Sequence, residues 1–257
     1  MTGRRRIRLV LLLAFPLAVL AAFAAVMFGG EDGRTRQVRP ARPIGLFTSL
    51  PILWREADDI SGLLDDKAPP HWALAVFSVH GDVQPLDTLS VNGGALGLAA
   101  DGLLVIAQPR PLAPQENVAL DDWVRAGGKV LLFADPMLTA HSAFALGDNR
   151  RPQDIALLSP ILSRWGLTLR FDDAQPFGER DADLFGNTVP VNLPGSFALA
   201  DGAGSCVIQS GGLAAKCAVG RGQVIAVADA AMLEDAANGD AAQREAALGA
   251  LLSLLGE

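Results

Sequence analysis

Residues 103–136 read LLVIAQPRPLAPQENVALDDWVRAGGKVLLFADP and decide the fold. Leu103–Ala107 is a short, wholly apolar run, which is typical of a strand buried on both faces. A helix with apolar residues at helical spacing follows over Gln115–Ala126, and Gly127–Gly128 is typical of a helix C-terminus. Lys129–Ala134 repeats the pattern of a buried strand. Strand, helix and strand within about 30 residues predict a right-handed βαβ unit with a parallel sheet.

Similar patterns on both sides of this segment extend the prediction to a whole domain. We expect further strands at Ile44–Leu50, Ala73–Val79, Val189–Val191, Phe197–Leu199 and Gln223–Ala228, and helices around Trp54–Asp66, at Asp154–Trp165 and at Ala241–Leu255. Asp172–Asn187 is polar and predicts an exposed insertion. The fold class that follows is three-layer α/β with a mostly parallel sheet, in one domain over residues 44–257.

The two cysteines predict a disulfide across a C-terminal β-hairpin. Cys206 and Cys217 flank Gly211–Gly212, which reads as a two-residue hairpin turn. Pairing across that turn places the two cysteines opposite each other, at a Cα separation of about 5.5 Å if they form a hydrogen-bonded pair. The bond requires an oxidising compartment. The alternative is two buried free thiols.

The N-terminal residues predict a membrane anchor and hence a location. Residues 1–8 contain four arginines, and residues 9–30 form an uncharged, mainly apolar run. About 20 apolar residues span a bilayer, and the basic flank assigns the N-terminus to the cytoplasm. Residues 31–43 are then a juxtamembrane linker, and residues 44–257 lie in the periplasm of a bacterial inner-membrane protein. The alternative is a cleaved signal with small residues at Ala22–Ala25, although signal cores are typically only about 7–15 residues long.

The charge is strongly divided between the two ends of the chain. The whole chain has a net charge of −7, but residues 1–42 carry eight arginines and only two acids. The remaining residues therefore carry 13 basic and 26 acidic side chains. A domain with this excess of acids repels polyanions, so the composition disfavours nucleic-acid binding.

Two acids follow predicted strands at the edge where α/β sheets bind ligands. Asp135 comes after Lys129–Ala134, and Asp229 comes after Gln223–Ala228. The carboxyl ends of parallel strands share one edge, so these two side chains are candidate ligand-binding residues. Paired carboxylates bind cations or act as acid and base. The competing interpretation, which we favour, is that both aspartates cap helices.

Several common catalytic patterns are missing from the sequence. The three histidines, His71, His80 and His141, have no metal-binding spacing, so we expect no metal site and no cofactor. The first strand of the βαβ unit runs into Gln108–Pro109 rather than into a nucleophile on a strained turn. There is no phosphate-binding Gly-x-x-x-x-Gly-Lys motif either, so the chain is not itself expected to hydrolyse ATP.

Residues 103–136 and the closing segment GRGQVIAVAD, residues 220–229, resemble blocks of a known group of proteins. They are similar to gliding-motility-type ABC-transporter auxiliary proteins and to related DUF4350-like domains. The resemblance implies a flavodoxin- or glutamine-amidotransferase-like fold and a periplasmic domain beside an ABC-type ATPase and permease. It does not carry over amidotransferase activity, because the elbow cysteine and its histidine are missing.

The resulting prediction is a non-enzymatic, membrane-anchored periplasmic accessory subunit of an ABC-type transport system. Its partners would be the inner membrane and an ABC permease–ATPase complex. The alternative, from a different class, is a divergent periplasmic hydrolase or carbohydrate-active domain that uses Asp135 and Asp229.

Overall fold

The computed structural model describes residues 42–56, 69–91, 94–202, 204–234 and 241–256. The predicted anchor at residues 9–30 lies outside this part of the chain. Among the described residues, no helix combines the length and the hydropathy that a membrane span requires. In chain order, the helices and strands are β1 (Pro43–Thr48), α1 (Trp72–His80), β2 (Asp82–Pro85), β3 (Leu103–Ala107), α2 (Pro114–Arg125), β4 (Lys129–Phe133), α3 (Ser159–Trp165), β5 (Leu167–Arg170), β6 (Arg180–Leu184), β7 (Asn187–Val191), β8 (Ser196–Leu199), β9 (Ser205–Gln209), β10 (Ala214–Val219), β11 (Gly222–Val227) and α4 (Ala241–Gly256).

A seven-stranded, mostly parallel sheet organises the domain. Its strand order is β2-β1-β3-β4-β11-β10-β9. The first five strands run parallel to one another, whereas β10 and β9 are antiparallel additions at one end. The predicted β3–α2–β4 unit is present, with Leu103 paired to Lys129 in parallel register. The mixed α/β class with a large, mostly parallel sheet is therefore confirmed.

Helices cover both faces of this sheet. Alternate residues of β3 point to opposite faces, because successive side chains of a strand do so. Leu103 and Val105 join the cluster that contains α1 and α4, whereas Leu104 and Ile106 join the cluster that contains α2 and α3. Every residue of β3 is buried, as expected for a central parallel strand. The result is the predicted succession of helix layer, sheet and helix layer.

The predicted strand at Ala73–Val79 is wrong, because this segment is helix α1. A seven-residue segment with six apolar residues fits a buried helix as well as a buried strand, so periodicity alone could not decide between them. The topology decided it, since β1 and β2 pair in parallel and need a crossover between them. Locally, the His71 side chain caps the helix by accepting from the backbone N–H of Ala73. The helix predicted around Trp54–Asp66 lies mostly outside the described residues.

Two further predictions, for the middle of the chain, needed correction. The helix expected at Asp154–Trp165 is only α3, Ser159–Trp165, because Pro160 belongs in a first turn and would clash inside a longer helix. The insertion expected at Asp172–Asn187 includes β6, which pairs with β7 in a small antiparallel sheet. Strand β6 reads RDADL and has only one buried residue, Leu184, so its charged composition indicated an exposed segment.

The cysteine hairpin is confirmed. In the β9–β10 ladder Cys206 lies opposite Cys217, as predicted. The connection differs from the predicted two-residue turn, because residues 210–213 join the strands and Ser210–Gly212 form a short 3-10 turn. The two cysteines form a disulfide, and their Cα atoms are 4.0 Å apart. This separation is shorter than the 5.5 Å expected above and is nearer the spacing of a non-hydrogen-bonded pair.

Candidate functional site

Three central strands end at the same edge of the sheet. A buried polar residue lies one or two positions beyond the end of each strand. Gln108 follows β3, Asp135 lies two residues beyond β4, and Asp229 lies two residues beyond β11. The structure therefore brings together the two aspartates that the sequence singled out. It adds Gln108. This residue was named from the sequence only because it stands where a hydrolase would carry its nucleophile.

Gln108 ties the strand ends together. Its backbone has a φ of 43°, a left-handed conformation that is uncommon for residues other than glycine. Its side-chain Nε2 donates to the carbonyl oxygens of Asp135 (3.1 Å) and Gln153 (2.7 Å), and its Oε1 accepts from the N–H of Asp135 (2.9 Å). Both polar atoms of the amide group are therefore engaged with the backbone.

Asp135 and Asp229 hold backbone turns with all four of their carboxylate oxygens. The Asp135 Oδ1 accepts from the N–H of Met137 (2.8 Å), and its Oδ2 accepts from the N–H of Ala230 (3.1 Å). The Asp229 Oδ1 accepts from the N–H of Ala231 (2.7 Å), and its Oδ2 accepts from the N–H of Asn192 (3.1 Å). Each aspartate therefore links its own turn to a second segment. This role replaces simple helix capping, because no α-helix starts directly after either residue.

The two aspartates are more deeply buried than is usual for aspartates in turns, and their pKa values are raised. Both are 1% exposed, and within the described part of the chain neither forms a salt bridge. Burial raises the pKa of Asp135 to about 6, although the hydrogen bonds from Met137 and Ala230 oppose the shift. Burial, followed by the charge of Asp135, raises the pKa of Asp229 well above its usual value. The pair therefore retains protons at pH values where exposed aspartates are fully ionised.

A cavity of about 290 Å³ adjoins this edge of the sheet. We call it the Glu234 cavity. Its wall includes the apolar residues Leu50, Pro51 and Leu233 and the polar residues His71, His141 and Glu234. Burial, followed by the charge of Asp135, raises the pKa of Glu234 to about 7. Sequence reasoning missed this grouping, because residues 71, 141 and 234 lie far apart in the chain and have no motif spacing.

Chemically, the two parts of the edge differ in what they can do. Asp135 and Asp229 are closed to solvent and occupied by backbone donors, so their arrangement supports structure more than contact with a substrate. The Glu234 cavity has room for a small ligand and offers one acid and two imidazoles. Among the residues that the structure describes, no three or more His, Cys, Asp or Glu side chains are grouped to hold a metal ion.

Comparisons with known proteins give a family and remote structural likenesses. No curated protein matches this chain. Solved structures with partial likeness include an exo-β-1,4-mannosidase from the Opitutaceae bacterium strain TAV5, with 13% identity, a TM-score of 0.49 and coverage of 86% of this chain and 36% of that chain. They also include a GH42 β-galactosidase from G. stearothermophilus, with 11% identity, a TM-score of 0.46 and coverage of 85% of this chain and 30% of that chain.

A ThuA-like protein from Bacteroides uniformis matches with 8% identity, a TM-score of 0.42 and coverage of 88% of this chain and 94% of that chain. By contrast, the chain spans only about a third of the length of the two glycosidases. The family described as "Domain of unknown function (DUF4350)" matches residues 78–252, which are more than half of the sequence, and the chain belongs to this family.

Proposed function

We propose that this protein is a membrane-anchored, extracytoplasmic accessory subunit of an ABC-type transport system, and that it acts by binding rather than by catalysis. The proposal has three parts: the location of the domain outside the cytoplasm, the absence of catalytic turnover, and an ABC-type transporter as the partner. Each rests on a different observation and is tested separately.

The location is supported by the N-terminal sequence and by the disulfide. Residues 9–30 are apolar and follow four arginines, which predicts an N-terminus in the cytoplasm and a domain on the other side. The Cys206–Cys217 bond fits an oxidising compartment. Fusions of alkaline phosphatase and of green fluorescent protein to the C-terminus test this directly. We expect an active phosphatase and a dark fluorescent protein, and the reverse result contradicts the location.

The observation that carries a binding role is the residue at the end of β3. In α/β-hydrolases a strained residue after a strand carries the nucleophile. Here the residue with the left-handed backbone is Gln108, whose amide is a poor nucleophile and is bonded at both ends to the backbone. The neighbouring aspartates are likewise occupied by backbone N–H groups. These contacts favour a domain whose sheet edge is built for rigidity.

The partner is inferred from the resemblance of residues 103–136 and 220–229 to ABC-transporter auxiliary proteins. We extend the inference to a glutamine-amidotransferase-like fold without that activity and to a gliding-motility-type complex as the nearest known parallel. The test is affinity purification of the tagged full chain from membranes, after mild cross-linking. An ATPase and a permease that co-purify in stoichiometric amounts support the proposal, and their absence contradicts it.

A second candidate, a divergent hydrolase, is favoured by one observation. The pKa of Glu234, which lines the cavity, is raised to about 7, and the pKa of the buried Asp135 is raised to about 6, which is a range suited to general acids. The purified full chain should be assayed with nitrophenyl esters and glycosides. Turnover that Asp135→Asn or Glu234→Gln abolishes, in a variant that still folds, would establish this candidate and overturn the first.

A further inference from the structure

Glu234 lines the Glu234 cavity, and one of its carboxyl oxygens has no hydrogen-bond partner among the described residues. The backbone of Glu234 is fixed, because its carbonyl oxygen accepts from Arg244 Nη1 (3.3 Å) and from Trp72 Nε1 (3.5 Å). Its side chain differs, since Oε1 is buried and makes no hydrogen bond with the described residues. A buried carboxyl oxygen without a hydrogen bond is destabilising, and a positive charge beside the carboxylate can offset this cost.

The charges around this carboxyl group select the sign of such a ligand. Asp135 and Glu179 both act on Glu234 as negative charges, and Arg244 is the opposing cation. Arg244 is already committed, because it donates to the carbonyl oxygens of Ala231 and Glu234 and pairs with Glu179 at 3.2 Å. Among the residues that the structure describes, acids therefore outnumber cations around Glu234, which favours a positively charged ligand.

The remaining wall sets the size and the character of the ligand. About 290 Å³ lies near the lower limit for small-molecule sites, so the cavity has room for a small ligand but not for a large one. Leu50, Pro51 and Leu233 provide apolar contact beside the carboxyl group. A compact molecule with one charged end and a short carbon chain matches a cavity that has a carboxyl group on one side and apolar side chains beside it.

We propose that the Glu234 cavity binds a small organic ammonium ion, with its charge on the Glu234 carboxylate and its carbon atoms against Leu50, Pro51 and Leu233. This site goes beyond the accessory role proposed above and does not depend on it. A bare metal ion fits less well, because the described residues offer no group of three ligating side chains.

Binding of this kind is linked to protons. The pKa of Glu234, raised to about 7 by burial and by Asp135, means that part of the population is neutral at pH 7. A bound ammonium ion favours the charged form, so binding should release a proton. The other charged or titratable groups at or near the carboxyl group are three acids, one arginine and two histidines: Asp135, Asp229, Glu179, Arg244, His71 and His141. Protonation of any of the carboxylates or imidazoles weakens the attraction for a cation, whereas Arg244 stays positively charged throughout.

The test is calorimetric titration of the full chain in detergent with n-butylammonium chloride. We expect a Kd of about 0.1–10 mM, the range available to a ligand of so few atoms. We also expect about tenfold tighter binding at pH 8 than at pH 6, because Glu234 ionises between them. Comparing buffers of different ionisation enthalpy should show a fractional proton released per ligand at pH 7.

Matched variants and probes assign the effect to the site. Glu234→Gln should weaken binding by about tenfold or more and remove most of the pH dependence, whereas Glu245→Gln, the same change at an exposed position of α4, should leave both unaltered. Ala140→Leu fills the cavity without changing charge and should also weaken binding. If Glu234→Gln fails to fold, the affinity of the Ala140→Leu variant for n-butylammonium still tests the proposal.

Four outcomes overturn the proposal. The first is no binding of n-butylammonium up to about 50 mM, well above the expected range. The second is equal binding of uncharged n-butanol, and the third is equal affinity in the Glu234→Gln and Glu245→Gln variants. The fourth is stoichiometric binding of Zn²⁺ alone that depends on Glu234, with no binding of the ammonium ion.

Discussion

Two regions of the molecule bury acids, and they neutralise them in opposite ways. Glu116 and Asp121, which we call the helix acids, lie on α2 and are paired with arginines. Asp135 and Asp229, the edge acids, lie at the carboxyl edge of the sheet and are held by backbone N–H groups without a salt bridge among the described residues. All four are at most 1% exposed, so burial alone does not explain the difference.

The pKa values follow the partners. The hydrogen bond from Arg110 holds the pKa of Glu116 to about 2. Burial would raise the pKa of Asp121, but the hydrogen bonds and charges of Arg125 and Arg164 outweigh it and lower the value. At the sheet edge burial prevails, and the pKa values of both edge acids rise. The comparison teaches that cationic partners turn a buried acid into a structural anchor, whereas an acid without them remains a proton-holding group beside a cavity.

Removing Asp121 should have the largest effect. Asp121 accepts from Arg125 Nε (2.9 Å), from Arg164 Nε (2.9 Å) and from the buried Trp165 Nε1 (3.1 Å). Asp121→Ala leaves the indole N–H without an acceptor, and we expect a loss of about 3 kcal/mol in the free energy of unfolding. Urea titration of the full chain, followed by tryptophan fluorescence, measures it. Asp122→Ala, at the exposed neighbouring position, is the control and should cost less than about 0.5 kcal/mol. Equal losses in both variants would refute the anchoring role.

Replacing Glu116 should have the next largest effect. Its Oε1 accepts from the N–H of Leu89 (3.0 Å), and its Oε2 accepts from the N–H of Ala113 (2.9 Å), while Arg110 bridges both oxygens. In Glu116→Gln one oxygen becomes an NH₂ group that faces a donor, so we expect a loss of about 2 kcal/mol by the same titration.

The exposed Glu245→Gln is the matched control for Glu116→Gln. The sign of the pH effect is a second check. A carboxyl whose pKa is lowered on folding stabilises above its unfolded pKa of 4.5 and loses this contribution as the pH falls towards 2. The cost of Glu116→Gln should therefore shrink in acid, and a cost that grows instead would contradict the pairing.

Asp135→Asn should show the opposite pH dependence, with a smaller amplitude. A carboxyl whose pKa is raised on folding, here from 3.8 to about 6, stabilises most below its unfolded pKa and loses this contribution as the pH rises through 6. The asparagine variant lacks this contribution, so its destabilisation relative to the natural protein should be about 1 kcal/mol larger at pH 5 than at pH 8. Unfolding titrations at both pH values, with Asp122→Asn as the control, measure the difference. A cost that is independent of pH would place Asp135 with the helix acids.

Arg164→Lys should have the smallest effect and sharpens the description of the paired region. Arg164 places both Nε and Nη2 on Asp121 Oδ2, and its side chain is half exposed. Lysine keeps the charge but loses the fork of donors, so we expect about 0.5 kcal/mol of destabilisation. The melting temperature of the full chain, at low and high salt, is a sufficient measurement. A destabilisation as large as that of Asp121→Ala would show that the hydrogen bonds around Asp121 depend on the guanidinium geometry of Arg164 more than on the Asp121 carboxylate.

Features that depend on neighbouring residues in the chain were readable from the sequence. Strand β3 was predicted with its observed bounds, and β4 to within one residue, because a short apolar run next to a glycine-capped helix has one common interpretation. The cysteine pairing was predicted correctly because Cys206 and Cys217 lie at equal distances from Gly211–Gly212, and a symmetric connection of two or of four residues gives the same register. The edge acids were found because the strands that precede them were recognised.

Features that depend on distant residues were not readable. The segment Ala73–Val79 has the composition of a strand, and only the parallel pairing of β1 with β2 shows why it forms α1. The Glu234 cavity joins residues 71, 141 and 234, and no spacing in the sequence relates them. The pairing of Asp121 with Arg164 was missed as well, because Arg164 comes from α3, 43 residues further along the chain.

The sequence by itself determined the α/β class, the central βαβ unit, the disulfide pairing and the presence of two acids at strand ends. Each of these follows from periodicity, turn chemistry or register, which act over a few residues. Only the tertiary structure decided which buried acids meet arginines and which meet the backbone, and where a cavity remains. The physical reason is that the pKa of a buried carboxyl depends on the charges and donors within a few ångströms of it, and in this fold some of those groups, such as Arg164 beside Asp121 and Ala230 beside Asp135, come from distant parts of the chain.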